Sequence, residues 1–457
     1  MFPVKPEDIT ITRLRNGFTI IALAHHKLPL AYCTVMVKRG SECDPVGKEG
    51  LADLTAEMLT LGTTTRDSQR IAQELEQMGA QYAASSGWDA SFVEVVGLAE
   101  DFSPIMDMLS DMLLHPTFGQ GEMRLTQQRR ISRLIQRRDE AAVIADETIV
   151  QRLMVGTPYA HPTYGTIGSL GQLGEKDPRG FYDSHIAPEN TVLLVSGDLS
   201  AEEIRAKAEE LFGTWQGARS DAGPASRPTK ATANRIIAVN RPDLTQTQIR
   251  VGLLGIARSD PSYIPFRVMN YIFGGGGFSS RLMQRIRAEK GYTYGINSTF
   301  QAGRIPGPFV ISTFTPTATT IPAIGEIITV MKESITRGIG DTELREAKEF
   351  LRGSFPLRLE TLGQLTGEIL RLTLYDIPYD FLATYTGAIE QVTRQEVNAL
   401  AATYLFPEAL TIVAVGRIEE FLESLRAMGD VEVVEYSEIT KGCLPPPANT
   451  AAHASTT

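Results

Sequence analysis

Hydrolytic and metal chemistry usually rests on histidine, and this chain of 457 residues has only six. His25 and His26 sit at the end of an apolar run, His115 precedes a proline, and His453 lies near the C-terminus. His161 and His185 are isolated. No two histidines stand four apart, so no helical face offers a pair of imidazoles to a metal ion. No G-x-S-x-G elbow presents a serine nucleophile. The three cysteines, Cys33, Cys43 and Cys443, are too few for a disulfide framework and lack metal-ligand spacing. Two arrangements remain. Asp53 and Glu57 stand at i, i+4 and share one face of a helix. With Ala56 between them and no third ligand beside them, they form a weak chelator without a base. Pairing with Arg129 or Arg133, or a place in a subunit interface, is the alternative. The second arrangement is "FGGGGFSSRLMQRIRAEKGYTYG", with Gly274, Gly275, Gly276 and Gly277 ahead of Arg287 and Tyr294. Arginine can fork hydrogen bonds to a carbonyl or carboxylate, and a phenol can donate to an oxyanion. The glycine run lacks the Lys-Ser/Thr of a phosphate loop, so it reads either as a helix end and turn or as a peptide-contacting loop. Taken without context, the stretch after it is an amphipathic helix entering a strand, with Tyr294 in the core and Arg287 in solvent.

The elements that carry these residues follow from periodicity. Residues 11–26 hold β-branched runs around Asn16-Gly17, a hairpin signal. "AYCTVMVKRG" is a strand, and "KEGLADLTAEMLTLG" changes to helical spacing through Leu51, Leu54, Met58 and Leu61. "DSQRIAQELEQMGA" is a helix with Asp67 or Ser68 as cap and Gly79 at its end. "SFVEVVGLAEDF" is a strand, "FSPIMDMLSDMLLHPTF" a helix, and a basic helix runs from about Glu122 to Arg138. "TVLLVSGDL" is a buried strand followed by the capped helix "SAEEIRAKAEELFGTW". The order then repeats at a period near 210 residues: "TQIRVGLLGIA", "DPSYIPFRVMNYIFG", "PFVISTFTP" and "LTIVAVGRIEEFLESL" stand for their counterparts. This predicts an α+β fold of two homologous domains, each a largely antiparallel sheet with packed helices. The domains are expected at 1–215 and 235–436. The Gly/Ala/Ser/Pro-rich stretch 216–234 reads as a linker, and the Pro-rich tail 437–457 as disordered.

Net charge is −10, which argues against binding nucleic acid through a general basic surface. No run of about 18 apolar residues predicts a membrane span. "MFPVKPEDITITRLRNG" lacks the layout of a signal peptide, so a soluble protein of a bacterial cytoplasm or periplasm is expected.

From about residue 7 to 430 the chain resembles the insulinase, pitrilysin and mitochondrial processing peptidase family. Catalytic members carry an inverted zinc motif, H-x-x-E-H, on the first helix. The flanking words "RGSECDPVGKEGLA" and "EMLTLGTTTRD" match that frame. Inside it the chain reads Asp53-Leu54-Thr55-Ala56-Glu57, so Asp53 and Glu57 stand at the ligand positions and Ala56 at the base. The segment expected to bring the third ligand, residues 123–138, holds six arginines and no carboxylate. Arg287 and Tyr294, seven apart, match the family's C-terminal signature, whose Arg and Tyr reach the substrate. The glycine run is similar to a shortened glycine-rich loop of the processing peptidase's non-catalytic subunit.

The resemblance implies a non-catalytic, substrate-binding subunit of a heterodimeric zinc metallopeptidase. It implies no metal in this chain, zinc in a homologous partner subunit, a peptide substrate, and Arg287 and Tyr294 completing the partner's site. The alternative is a structural or assembly subunit without a role in cleavage, like the core proteins of the respiratory bc1 complex.

Overall fold

The computed structural model describes residues 8–217 and 226–436. The tail 437–457 and residues 218–225 of the linker lie outside the described residues, while 226–234 contain neither helix nor strand. Among the described residues twelve strands form two six-stranded sheets. The first contains β1 (Ile9–Arg13), β2 (Thr19–Ala24), β3 (Leu30–Val37), β4 (Gln81–Ser86), β5 (Ser91–Leu98) and β6 (Thr191–Gly197). The second contains β7 (Arg235–Asn240), β8 (Gln246–Leu254), β9 (Ile296–Ala302), β10 (Pro306–Pro316), β11 (Thr411–Gly416) and β12 (Asp430–Glu435).

The orders are β1-β2-β6-β3-β5-β4 and β12-β7-β11-β8-β10-β9. Position by position these are one arrangement used twice, as the repeated element order predicts. Neighbours are antiparallel except β2/β6, β7/β11 and β7/β12. The outermost strand is recruited differently: β1 comes from ahead of its domain and runs antiparallel to β2, whereas β12 comes from behind and runs parallel to β7. The hairpin at Asn16-Gly17 forms, with Arg13 opposite Thr19 and Gly17 at φ 89°. β6 and β11 are buried at every residue.

The chain forms two compact units, and each is discontinuous in sequence. One takes in Met1–Ser132, Pro162–Pro224 and Ser354–Tyr385; the other Arg133–His161, Ala225–Gly353 and Thr386–Thr457. The strands divide between the halves of the chain, but two covering helices do not. Helix Ala141–Leu153, from the first half, packs on β8 and β11 of the second sheet. It buries Ile144, Ala145, Ile149 and Leu153. Asp146 accepts from Arg250 Nε of β8 at 2.5 Å, and Arg152 pairs with Glu432 of β12. Helix Leu362–Leu374, from the second half, packs on β3 and β6 and buries Leu365, Ile369 and Leu372. The Thr366 and Ser196 hydroxyls hydrogen-bond at 2.6 Å. Among the described residues no helix is long and apolar enough to cross a membrane.

Candidate functional site

The carboxylate pair lies on helix Leu51–Met58, which follows β3. The helix starts where Gly50 takes φ 90° and Asp44 accepts from the Gly50 and Ala52 N–H groups at 2.8 and 2.7 Å. Burial pushes the Asp44 carboxyl up to about 8, against the pull of those two bonds. Asp53 and Glu57 project on one face, one turn apart. Asp53 Oδ1 accepts from the Ser86 N–H at the end of β4, at 2.7 Å. Its Oδ2 accepts from Arg130 Nη1 at 2.7 Å, and its carbonyl from Arg130 Nη2 at 3.0 Å. Arg130 Nε donates to Glu57 Oε2 at 2.7 Å, and Arg129 pairs with Glu57 Oε1. The Arg130 side chain is 11% exposed, Asp53 16% and Glu57 25%. Ala56 is buried beside them.

These residues do not fit a zinc ion. The position between the carboxylates is taken by the Arg130 guanidinium, no imidazole is present on the helix, and Ala56 has no proton acceptor to activate a water. Among the described residues no cluster of three His, Cys, Asp or Glu side chains could hold a metal. The arginine partner differs from the expected set: Arg129 pairs as anticipated, but Arg130 rather than Arg133 closes the site, and Arg133 is exposed. Helical phase decides this. In helix Gln120–Arg137 the buried positions are Met123 and Thr126, and a further step of four reaches Arg130. That phase was the overlooked signal.

The second arrangement lies in the other unit. Helix Tyr263–Asn270 follows β8 and widens into a π-type turn over Tyr271–Gly275. A second widened stretch, Met283–Glu289, carries Arg285 and Arg287. Wide turns of this kind recur at functional positions. The glycines are required by packing at one end and free at the other. A Cβ on Gly274 would lie 2.4 Å from Ser298 Oγ and 2.7 Å from Leu282 Cδ1, whereas Gly277, at φ +58°, faces open space. Thus Gly274 serves the fold, and Gly277 marks an exposed left-handed turn.

Arg287 differs from its neighbours. Arg281 pairs with Glu343 and donates to the Gly338 carbonyl; Arg285 pairs with Glu289, Glu326 and Glu333. Among the described residues Arg287 has no carboxylate partner and no side-chain hydrogen bond; its guanidinium lies 4.5 Å from the centroid of the Phe278 ring. Tyr294 is 79% exposed, which removes the reading that buries it in the core. The turn that presents it is pinned. Tyr292 N–H donates to the Ile286 carbonyl at 3.0 Å, and the Thr315 hydroxyl donates to the Tyr292 carbonyl at 2.6 Å. The Thr313 hydroxyl donates to the Gly295 carbonyl at 2.9 Å. The structure therefore joins the glycine turn to Arg287 through Phe278, a residue that sequence reasoning passed over. What sets it apart is its exposure, which the sequence does not state.

The insulinase (peptidase family M16) model matches residues 20–167, and the model described as the peptidase M16 inactive domain matches residues 175–351. A "non-peptidase homolog YmxG" of Helicobacter pylori is 23% identical over 83% of this chain and 87% of its own length. An "uncharacterized zinc protease YmxG" of Bacillus subtilis is 23% identical over 88% of this chain and 97% of its own. The crystal structure of a peptidase M16 inactive domain from Pseudomonas fluorescens superposes with a TM-score of 0.83 at 25% identity, covering 89% of this chain and 97% of that one. The first half of the periplasmic protease PqqL of Escherichia coli shares the fold at a TM-score of 0.77 and 15% identity, over 95% of this chain and 96% of that one. With its duplicated sheet order, the motif frame around Asp53 and these matches, the chain belongs to the insulinase family, peptidase family M16.

Proposed function

We propose that this chain is a non-catalytic, peptide-binding subunit of a two-chain zinc peptidase of the bacterial cytoplasm or periplasm. A homologous partner supplies the zinc, and this chain supplies Arg287 and Tyr294. The observation that carries the reading is the contrast among three arginines on neighbouring turns: Arg281 and Arg285 are saturated by carboxylates, while Arg287 keeps its fork free. An unpaired guanidinium beside an exposed phenol suits a peptide carbonyl and the oxyanion that forms from it. The filled corner at Asp53 and Glu57 supports the other half of the reading, that the chain brings no metal of its own.

The test is reconstitution with a partner that carries an intact H-x-x-E-H. This chain alone should hold no stoichiometric zinc and cleave nothing; one tightly bound zinc per chain would count against the reading. The pair should cleave peptides. Tyr294→Phe should lower turnover about 100- to 1,000-fold, the usual loss for one oxyanion donor. Arg287→Ala should lower turnover and weaken binding together. Size exclusion should show assembly unchanged. A double variant that assembles and cleaves at the wild-type rate would leave a structural subunit as the better description.

A further inference from the structure

Phe278 is 68% exposed, although its backbone is held on both sides. The Gln284 amide donates to its carbonyl at 2.5 Å, the Ser279 hydroxyl to the Gly276 carbonyl at 2.9 Å, and the Ser280 hydroxyl to the Gly277 carbonyl at 2.8 Å. A large ring kept in water on a fixed turn is an apolar surface on offer. The Arg287 guanidinium lies over this ring, 4.5 Å from its centroid. A guanidinium lying over an aromatic face keeps its N–H edge available, and the stack restricts a side chain that otherwise has many rotamers. A stacked aromatic pair lies against the same glycine turn. Tyr271 stacks on Phe350 at 4.8 Å, Phe350 is 54% exposed, and Gly276 rests against the Tyr271 ring.

We infer that Phe278 is a positioning and specificity residue for the bound peptide. It holds the Arg287 fork toward a backbone carbonyl or carboxylate and takes the adjacent apolar side chain on its ring. This rests on the peptide-binding reading of Arg287 and adds a preference to it: the occupant is an extended peptide with an aromatic or aliphatic residue beside the carbonyl that Arg287 engages. An acidic or small polar residue there gains nothing from the ring.

The experiment measures binding to the full chain by fluorescence polarisation. The probes are three fluorescein-labelled decapeptide libraries, degenerate except for a central Phe, Ser or Asp. Wild type should prefer the Phe library over the Ser library about five- to tenfold, the worth of one aromatic contact. Phe278→Ala should erase that ratio and weaken every library about two- to fivefold through loss of the stack. Phe278→Leu should keep the preference but not the affinity, and Phe278→Trp should restore both. Arg287→Ala should weaken all libraries and leave the ratio standing. Melting temperatures report folding. If Phe278→Ala binds with wild-type affinity and ratio while Arg287→Ala loses binding, the inference fails and the peptide-binding reading stands. If wild type binds none of the libraries, both fail.

Discussion

β3 and β8 hold the same place in the two sheets, and each is followed by a helix that turns a corner. The corners have diverged in opposite directions. After β3, both carboxylates of helix Leu51–Met58 are paired with Arg130 and Arg129, and the Arg130 guanidinium lies between them. After β8, the helix widens, glycines replace side chains, and among the described residues Arg287 has no carboxylate partner while Tyr294 is exposed. A charge at a vacated site must still be neutralised, because an unpaired buried carboxylate costs several kcal/mol. A charge at a working site can stay unpaired where water reaches it. On the proposed reading, the paired charges of the first corner and the unpaired guanidinium of the second mark the difference between a site without metal and one that binds peptide.

Neither sheet is covered by its own half of the chain alone. Helix Ala141–Leu153 brings Ile144, Ala145, Ile149 and Leu153 to the second sheet. A buried aliphatic side chain contributes about 1.5–3 kcal/mol, so the set approaches the whole stability of a typical domain. Residues 1–217 and 226–457 produced as separate chains should each fail to fold, and together they should complement into one particle. Circular dichroism and size exclusion of the parts and the mixture check this. Two independently folded monomers would show that the exchange is dispensable.

The two cationic corners should respond unequally to truncation. Arg130→Ala leaves Asp53 with the Ser86 N–H and Glu57 with Arg129 alone, at side chains at most a quarter exposed, and should cost about 3 kcal/mol. Arg287→Ala removes a half-buried guanidinium that is stacked on an exposed ring and has no carboxylate partner among the described residues, and should cost no more than about 1 kcal/mol. Urea unfolding followed by hydrogen exchange in each unit separates the effects. Equal losses would overturn the distinction between a structural and a functional guanidinium.

Much of this was legible in the chain and some was not, for local reasons. β3, β5, β6, β8 and β10 announce themselves through β-branched runs, and the capping box of Ser200 and Glu203 fixes the start of helix Ala201–Phe212. β4, "QYAASS", escaped because small polar residues on an exposed edge strand carry no period. Helix Ala141–Leu153 escaped because its face covers a sheet that lies a hundred residues further on, a fact no local window contains. At the site, Asp53, Ala56 and Glu57 were readable from the motif frame, but the identity of the closing arginine needed the phase of the basic helix. Phe278 needed its exposure, which a sequence does not state.

The smallest effect concerns pH and should be confined to the first unit. His185 ends helix Asp177–His185, with its ring 4.6 Å from Phe181 and its Nδ1 buried without a partner among the described residues. Burial, and then the charge of Arg39, hold its pKa below the ordinary 6.5. The unfolded state therefore takes up the proton first. The histidine's contribution to stability is present above pH 6.5 and is lost as the pH falls through 6.5 towards the folded value, by at most about 1.4 kcal/mol per pH unit for one proton. Asp44 in the same unit acts with the opposite sign. Its folded pKa of about 8 exceeds the unfolded value, so its effect lowers stability as pH rises from about 4 to about 8. Wild type must therefore be compared with His185→Gln, which keeps Asp44 and removes only the histidine. Between pH 7.5 and 5.5 the wild-type advantage in urea midpoint over the variant should shrink. Amide protection in β3 and β6 should fall more than in β8 and β11, whose unit has His161 as its single described histidine. A wild-type advantage that stays constant across this range would mean that His185 titrates alike in the folded and unfolded states, and that the two units do not differ in their response to acid through this residue.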